Sequence, residues 1–348
     1  MTTTETPFAP WDVPVSEFPA AGRPAERLAF LLRFAVLAPS GHNTQPWLFD
    51  VQGDTVHLYA DRSQALAVVD PADRALTISC GAALLNLRVA LRRYGYRDDV
   101  YHLLPDPSDP DLLARVRLVD GETPSSADEA LFEAIPRRRT TRAAYDRAEL
   151  SGEVRRQLEE DGAREGAWLH VVSDAEQEAV AGLIAAGDRD QMADRRFRRE
   201  LAAWVHPNRS RGTRGMRGYG FGFGDLLSHV GPLVIRTFDI GAGQAAKDRE
   251  LAARSPLLTV LGTPTDTPLH WLEAGQAMER ILLRACAHGL TSSFLNQPVE
   301  VDELRPRLAD AIGRGGEQPQ LVMRFGFGPH VEPSPRAPVE QVLIGRGR

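Results

Sequence analysis

The sequence predicts an α+β chain built from two unequal copies of one helix-and-strand unit. Three observations lead there. Long apolar patterns of helical period alternate with short strand-like runs. Two of those helical patterns match at a fixed offset: "CGAALLNLRVALRRYGY" (Cys80 to Tyr96) and "AGQAMERILLRACAHGL" (Ala274 to Leu290) align Gly81 with Gly275, Ala83 with Ala277, Leu87 with Ile281 and Gly95 with Gly289, all 194 residues apart. The strands around them echo each other too, "WLFDV" at Trp47 with "WLHVV" at Trp168, and "RVRLV" with "QLVMRFGFG". Self-similarity at one spacing reads as tandem duplication.

In chain order, Glu26 to Ala38 reads as an amphipathic helix with Leu28, Leu31, Leu32 and Ala35 on one face. Pro39 stops it, because the residue before a proline is pushed out of the helical region. Trp47 to Val51 and Thr55 to Ala60 read as a strand pair around "QGD", Arg74 to Tyr94 as a helix closed by Gly95, and Arg115 to Val119 as a strand. Residues 120–127 are a polar connector. The first copy spans 34 residues from Trp47 to Gly81, the second 107 from Trp168 to Gly275, an excess of about 73. The excess holds the helical run "DRRFRRELAAW" and then "VHPNRSRGTRGMRGYGFGFGD". A long irregular segment rich in glycine and arginine reads as a lid, a binding loop or a disordered stretch. The chain divides into an extension (1–25), a first half (26–120) and a second half (121–348) that carries a lid-like insertion around 190–230.

The 348 residues are 43% hydrophobic, ample for a large core, and a net charge of −6 argues against a general nucleic-acid or acidic-membrane partner. Cys80 and Cys286 lie in apolar helical patterns and read as buried, inert thiols in a reducing compartment. The N-terminus has no basic and then apolar signal, and "LAFLLRFAVLA" is too short to span a bilayer; the expectation is a cytoplasmic protein. No histidine pair has metal-ligand spacing with supporting cysteines or carboxylates, so no metal is expected. "GAGQAA" at Gly241 follows the strand-like "PLVIRTFDI" and mimics a dinucleotide fingerprint, but its helix opens on "KDRELAA" and no βαβ unit surrounds it.

Three stretches carry chemistry. "APSGHNTQPW" (Ala38 to Trp47) places a hydroxyl, two amides and an indole just past a helix end. "IPRRRTTRAAYDRAEL" (Ile135 to Leu150) sets four arginines and two threonines within Arg137 to Arg142, the makings of an anion site, because guanidinium forks grip phosphate at two points. "PSPRAPVE" holds Arg336 between prolines that keep the backbone extended.

These residues resemble the FMN-dependent nitroreductase superfamily. "APSGHNTQPW" is similar to its flavin-contact motif, "RRTTR" to its Arg-Arg-Ser-x-Arg motif and "PRAPVE" to its C-terminal phosphate arginine. The tandem arrangement resembles the Acg-like branch, in which a single chain mimics the superfamily's intertwined homodimer. The resemblance implies a nitroreductase-like fold: a mainly antiparallel sheet in each half, helices wrapped around both, and the two repeat helices at the pseudo-dimer centre. It implies FMN as cofactor, NAD(P)H as electron donor and a small-molecule substrate, with no nucleic acid or membrane partner. A monomer suffices, since one chain supplies both halves.

The same resemblance assigns the flavin contacts. Pro39, Ser40, Gly41, Asn43, Gln45, Pro46 and Trp47 belong to the first motif; Asn43 and Gln45 suit the uracil-like edge or ribityl hydroxyls, Ser40 and Gly41 offer backbone N–H groups, and Trp47 a flat wall. Arg138, Arg139, Thr140 and Arg142 touch the flavin, and Arg336 holds its phosphate. Leu295 and Asn296, in "TSSFLNQPVE", are the backbone donors expected near N5. His42 is a weak acid candidate, since the proton in these enzymes more often comes from water. The first copy keeps the APSG motif and the second the arginine motif, while the second copy's APSG equivalent has decayed to "DGAREGAW". One complete site, and one FMN, is therefore expected per chain. Two other readings remain: a flavin-sequestering protein closed by its lid, and RNA binding through "RGTRGMRGYGFGFG".

Overall fold

A computed structural model describes residues 6–103, 108–221, 224–237, 239, 241–329 and 331–345. The first half holds α1 (Pro24–Ala35), β1 (Trp47–Gln52), β2 (Thr55–Ala60), α2 (Arg74–Arg93), β3 (Tyr96–His102) and β4 (Leu112–Asp120). After it come α3 (Ser126–Ala134), α4 (Gly152–Arg164), β5 (Trp168–Val171), α5 (Asp174–Ala193), α6 (Arg195–Trp204), β6 (Val205–His206), β7 (Met216–Arg217), α7 (Asp225–Thr237) and α8 (Gly241–Ala253). The chain ends through β8 (Leu257–Thr263), α9 (Pro268–Ala287), β9 (Thr291–Phe294), α10 (Gln297–Glu300), α11 (Leu304–Ala311) and β10 (Gln318–Gly326).

The duplication is visible in the sheets. One has the order β1-β2-β4-β3 and the other β5-β8-β10-β9, every neighbour antiparallel. β5 therefore takes the place of β1, β8 of β2, β9 of β3 and β10 of β4, as the Trp47/Trp168 and β4/β10 echoes require. α2 and α9 are the matching helices, and they pack on each other in the centre of the molecule. Among the described residues α2 alone is long and apolar enough to cross a membrane, and 89% of its apolar window is buried inside the protein.

Their crossing is set by glycine. A Cβ on Gly81 would lie 2.2 Å from the Leu272 carbonyl oxygen, and one on Gly275 would lie 2.0 Å from the Ile78 carbonyl oxygen. Ile78 and Leu272 are themselves 194 residues apart, so the two contacts are images of each other about a local two-fold axis. Bare glycine faces let the backbones touch where any side chain would force them apart.

Local signals explain most boundaries. α1 begins with Pro24 at its first position and Glu26 reaching back to the Arg23 N–H at 2.9 Å. It ends at Ala35, three residues earlier than the pattern suggested; Leu37 and Ala38 bond back to Phe34 and Ala35 in a tightened last turn ahead of Pro39. Two elements differ from expectation. β3, "YRDDVYH", carries too much charge to read as a strand, yet as an edge strand it uses that charge: Asp98 accepts from Arg88 at 2.8 Å and pairs with Arg92 at 2.9 Å, both on α2. The run "PLVIRTFDI" lies largely in helix α7, despite Pro232 and its β-branched residues. Ser228 and Ile235 are buried at helical spacing and α7 packs on α6, so tertiary burial overrides propensity. "GAGQAA" thus opens a helix that follows a helix, and the dinucleotide geometry is missing.

The halves interlock at the C-terminus. Phe49 of β1 receives the Ile344 N–H at 2.8 Å and donates to Val342, so the last described residues line the free edge of the first sheet. This anchors Arg336 against Ala38–Trp47.

Gly275→Ala is expected to destabilise the protein by about 2–3 kcal/mol, as over-packing at a closed contact does. Gly53→Ala is the comparison, for Gly53 has nothing within 4 Å but a φ of +63°, and its cost is about 1 kcal/mol from the left-handed conformation alone. Urea unfolding of the two variants checks the order.

Candidate functional site

A cavity of about 450 Å³ opens where the halves meet. Its wall takes Pro39 to Asn43 and Ser79 from the first half, and Arg138, Arg139, Thr140, Arg142, Met278 and Leu295 from the second. The two stretches that the duplication separated in sequence are side by side here.

The arginine segment is positioned by the second sheet. Thr141 donates to Ser292 at 3.0 Å, beside a bridge between Thr140 and Ser292, and buried Arg324 on β10 donates to Thr141 and Ala143 carbonyls at 3.3 and 2.8 Å. Sequence reasoning missed Arg324, whose only signal was a charge inside an apolar strand. It also missed Trp11, from the extension, which covers two of the cations: Arg139 and Arg336 lie 4.5 and 4.9 Å from its ring centre.

The electrostatics of this end are lopsided. Arg138 and Arg336 are buried and Arg139 half-buried, against one buried carboxylate, Glu279, which pairs with Arg138 at 3.5 Å without forming a hydrogen bond. Burial, and then Arg138 beside it, push the Arg336 guanidinium down to about 9. Burial pushes Glu279 up to about 7 even with Arg138 and Arg336 near. The Nε atoms of Arg138, Arg139 and Arg336 have no hydrogen-bond partner among the described residues. Buried positive charge with too little compensation is a site waiting for an anion, since desolvated cations need a counter-charge.

The first motif is strained and tied down. His42, Asn43 and Gln45 all have left-handed backbones, with φ of 50°, 57° and 52°. Such conformations cost on the order of 1–3 kcal/mol each and persist only where surrounding bonds hold them. Asn43 Nδ2 donates to the carbonyls of Gly215 and Pro335, both at 3.0 Å, and its Oδ1 accepts from Arg336 at 2.8 Å. Gln45 Nε2 donates to Thr213 at 2.7 Å, and its Oε1 accepts from the Ala337 N–H at 2.8 Å. The amides thus clamp the insertion and the C-terminal segment. This corrects the expected placement: Gln45, Pro46 and Trp47 lie in the core and do not line the cavity, while Pro39, Ser40, Gly41, His42 and Asn43 do. Gly41 has protein no nearer than 3.8 Å to a notional Cβ, leaving room above it.

Burial, and then Arg142, hold the His42 imidazole down at about 4, so it is neutral at physiological pH and is not an imidazolium acid. Arg142 itself lines the cavity, and its guanidinium lies 3.8 Å from Met216 Sδ. Leu295 donates its N–H to Val322 at 2.9 Å, which leaves Asn296 as the backbone donor of the pair, and both line the cavity. The insertion reaches the same wall through Met216, Arg217 and Tyr219, with the Tyr219 hydroxyl donating to Pro333 at 3.0 Å. Phe223 and the side chain of Phe221, both in the same insertion, lie outside the described residues.

The symmetry-related position is built differently. Taking Trp168 for Trp47, Glu165 stands where the first half has Thr44. Glu165 accepts from Arg280 at 2.6 Å and from Arg88, and Arg88 also bonds Gln276 at 2.8 Å and Asp98. Asp161 takes the place of Ser40 and pairs with Arg284 at 2.7 Å. A buried, mutually satisfied ion-pair network occupies that region.

No family model matches the chain. It is 34% identical over 325 residues to a Mycobacterium tuberculosis (strain H37Rv) protein provisionally named NAD(P)H nitroreductase Rv3131, across 92% of this chain and 91% of the relative. It is 26% identical over 324 residues to another from that strain, provisionally named NAD(P)H nitroreductase acg, across 91% and 95%. Among solved structures, the FMN and NADPH-dependent nitroreductase NfnB from sphigopyxis sp. strain HMH gives a TM-score of 0.42 at 21% identity, covering 64% of this chain and 100% of that one.

Asn43→Ala strips partners from two carbonyls and from Arg336. A destabilisation of about 1–3 kcal/mol is expected. Because the insertion loses its clamp, trypsin is expected to cut at Arg209, Arg211 and Arg214 several-fold faster, read by timed digestion and mass spectrometry.

Proposed function

Because the chain belongs to the nitroreductase superfamily, in its Acg-like branch, we propose that it binds one FMN between its halves and passes electrons from NAD(P)H to a small acceptor. The observation that carries this reading is the under-compensated trio Arg138, Arg139 and Arg336 at a cavity walled by both halves. A phosphate fits such a donor set: it supplies the missing negative charge and accepts several charge-assisted bonds. When bound, FMN supplies two-electron hydride chemistry, and an arginine beside the flavin favours its reduced, anionic form. The chain's own part is to bind and orient. Arg336 and Arg138 hold the phosphate end, Trp11 covers Arg336 and Arg139, and the Leu295–Asn296 segment lies along the wall where the resemblance puts N5. The insertion, clamped by Asn43 and Gln45, acts as a lid that limits which acceptors enter.

One observation favours the second reading, a protein that stores flavin with little turnover: the lid is docked on the motif by several buried bonds rather than left open. The two readings part on one experiment. Purified protein is expected to be yellow, to release FMN and protein in a ratio near one, and to bleach on anaerobic NADPH addition. A ratio near two would show that the ion-paired region also binds cofactor. Bound flavin that NADPH leaves oxidised would favour storage.

Arg336→Ala is expected to weaken FMN binding roughly tenfold to a hundredfold, the equivalent of about 1.5–3 kcal/mol for a charge-assisted contact. Riboflavin, which lacks the phosphate, is expected to bind both proteins alike in fluorescence titrations. Equal FMN affinity would remove Arg336 from the site.

A further inference from the structure

A second polar group, on α5, α8 and α10, lines the same cavity. Asp188 of α5 and Asp248 of α8 are both buried and both line the wall. One amide joins them: Gln297 Nε2 donates to Asp188 Oδ1 and to Asp248 Oδ2, each at 3.0 Å, and Gln244 Nε2 adds a bond to Asp248 Oδ2 at 2.9 Å. Asp188 Oδ2 is buried without a hydrogen-bond partner among the described residues. Gly187 makes the placement possible, because a Cβ there would meet the Gln297 Cβ at 2.6 Å, so α5 rests directly on the segment that follows Leu295 and Asn296.

Two carboxyls bridged by a neutral amide, out of water, do not both ionise; the unfavourable like-charge contact is relieved by keeping one proton. The proton falls to Asp188. Burial, followed by Asp248, pushes its carboxyl up to about 7, and burial raises Asp248 as well. The charges around the pair come from every neighbouring element. Glu300 of α10 raises Asp188, Arg189 of α5 lowers it weakly, and Lys247 and Arg142 act on Asp248. Arg198 of α6 is spent on the Met192 and Ala193 carbonyls, and Arg305 of α11 on Asp266. In the described bonds and ion pairs no guanidinium or ammonium is bonded to Asp188.

We propose that Asp188 is the acid of this site, giving its proton through Oδ2 to the acceptor reduced in the cavity. The assignment rests on the reading of the cavity as a flavin site. Its substrate class is an acceptor that gains an O–H bond, of which a quinone is the simplest case. The quinone would take a hydride, and with it two electrons, on one oxygen from the NAD(P)H-reduced flavin the cavity would hold, the donor's bond to that hydrogen breaking and the donor being oxidised as the O–H bond forms. The Asp188 O–H bond breaks, a new O–H bond forms on the other oxygen, and Asp188 is left as carboxylate. Hydroquinone leaves, and solvent returns the proton. No such acid was legible in the sequence, since Asp188 sits in "AAGDRDQM", an ordinary helical run.

The experiment compares wild-type holoenzyme with Asp188→Asn and Asp188→Glu, using benzoquinone, whose reduction needs a proton, and ferricyanide, which takes electrons alone. In Asp188→Asn the ratio of quinone to ferricyanide turnover is expected to fall at least tenfold near pH 6. Wild type is expected to lose that ratio about tenfold per pH unit above about 7, and Asp188→Glu to recover part of it. A cofactor-free readout stands beside this. A group whose folded pKa is raised binds a proton that the unfolded chain releases, so wild-type stability falls as pH rises from about 4 to about 7, the window between its ordinary and folded values. Asp188→Asn is expected to lack that slope in thermal unfolding of flavin-free protein. An unchanged turnover ratio and pH profile in a yellow, NADPH-reducible Asp188→Asn would overturn the assignment while leaving the flavin reading intact. Colourless wild-type protein would sink the flavin reading instead.

Discussion

Everything in this molecule hangs on the contact between two glycines. Gly81 and Gly275 let α2 and α9 approach until backbone meets backbone, and that contact fixes how one half faces the other. The cavity lies across the seam, with Ala38–Trp47 supplied from one side and the arginine segment from the other. A separation of even a methyl group at the crossing would move the walls apart, because interiors packed to crystal density transmit displacement rather than absorb it.

A homodimer cannot treat its two sites differently, for each change in sequence appears in both. This chain can. At one site the Arg138, Arg139 and Arg336 charges are left short of partners; at the other Arg88, Glu165 and Arg280 satisfy one another. Buried pairs of that kind recover their desolvation cost only when hydrogen bonding is nearly complete, and here each carboxylate oxygen of Glu165 has its own guanidinium. The symmetry is kept in the fold, where backbone geometry demands it, and dropped in the sites, where it does not.

How far the sequence could be read follows from what each signal depends on. The repeat helices, the hairpin of β1 and β2, and the strand echoes were legible because periodicity and glycine placement are local. β3 was hidden by charges whose partners, Arg88 and Arg92, sit on a helix. α7 was hidden by a proline and β-branched residues that burial overrode. In the site the arginines were legible as a class of chemistry. The amides were legible as polar groups in need of partners, but not which partners: Asn43 and Gln45 bond to Gly215, Thr213, Pro335 and Ala337, residues far along the chain. Trp47 proved a core residue, and Trp11 and Asp188 gave no sign of their place, since each acquires it only through tertiary packing.

The route of the C-terminal segment sets an order of events during synthesis. Arg336, Ala337 and the residues that cover β1 are made almost three hundred residues after Asn43 and Gln45, yet they hold the strained backbone of those two. Until they emerge, the left-handed turn has lost half of what restrains it and the anion end has lost a cation. The two sheets can form before that segment emerges; the cavity cannot. A chain from which the segment is still missing is folded in outline and open at its centre.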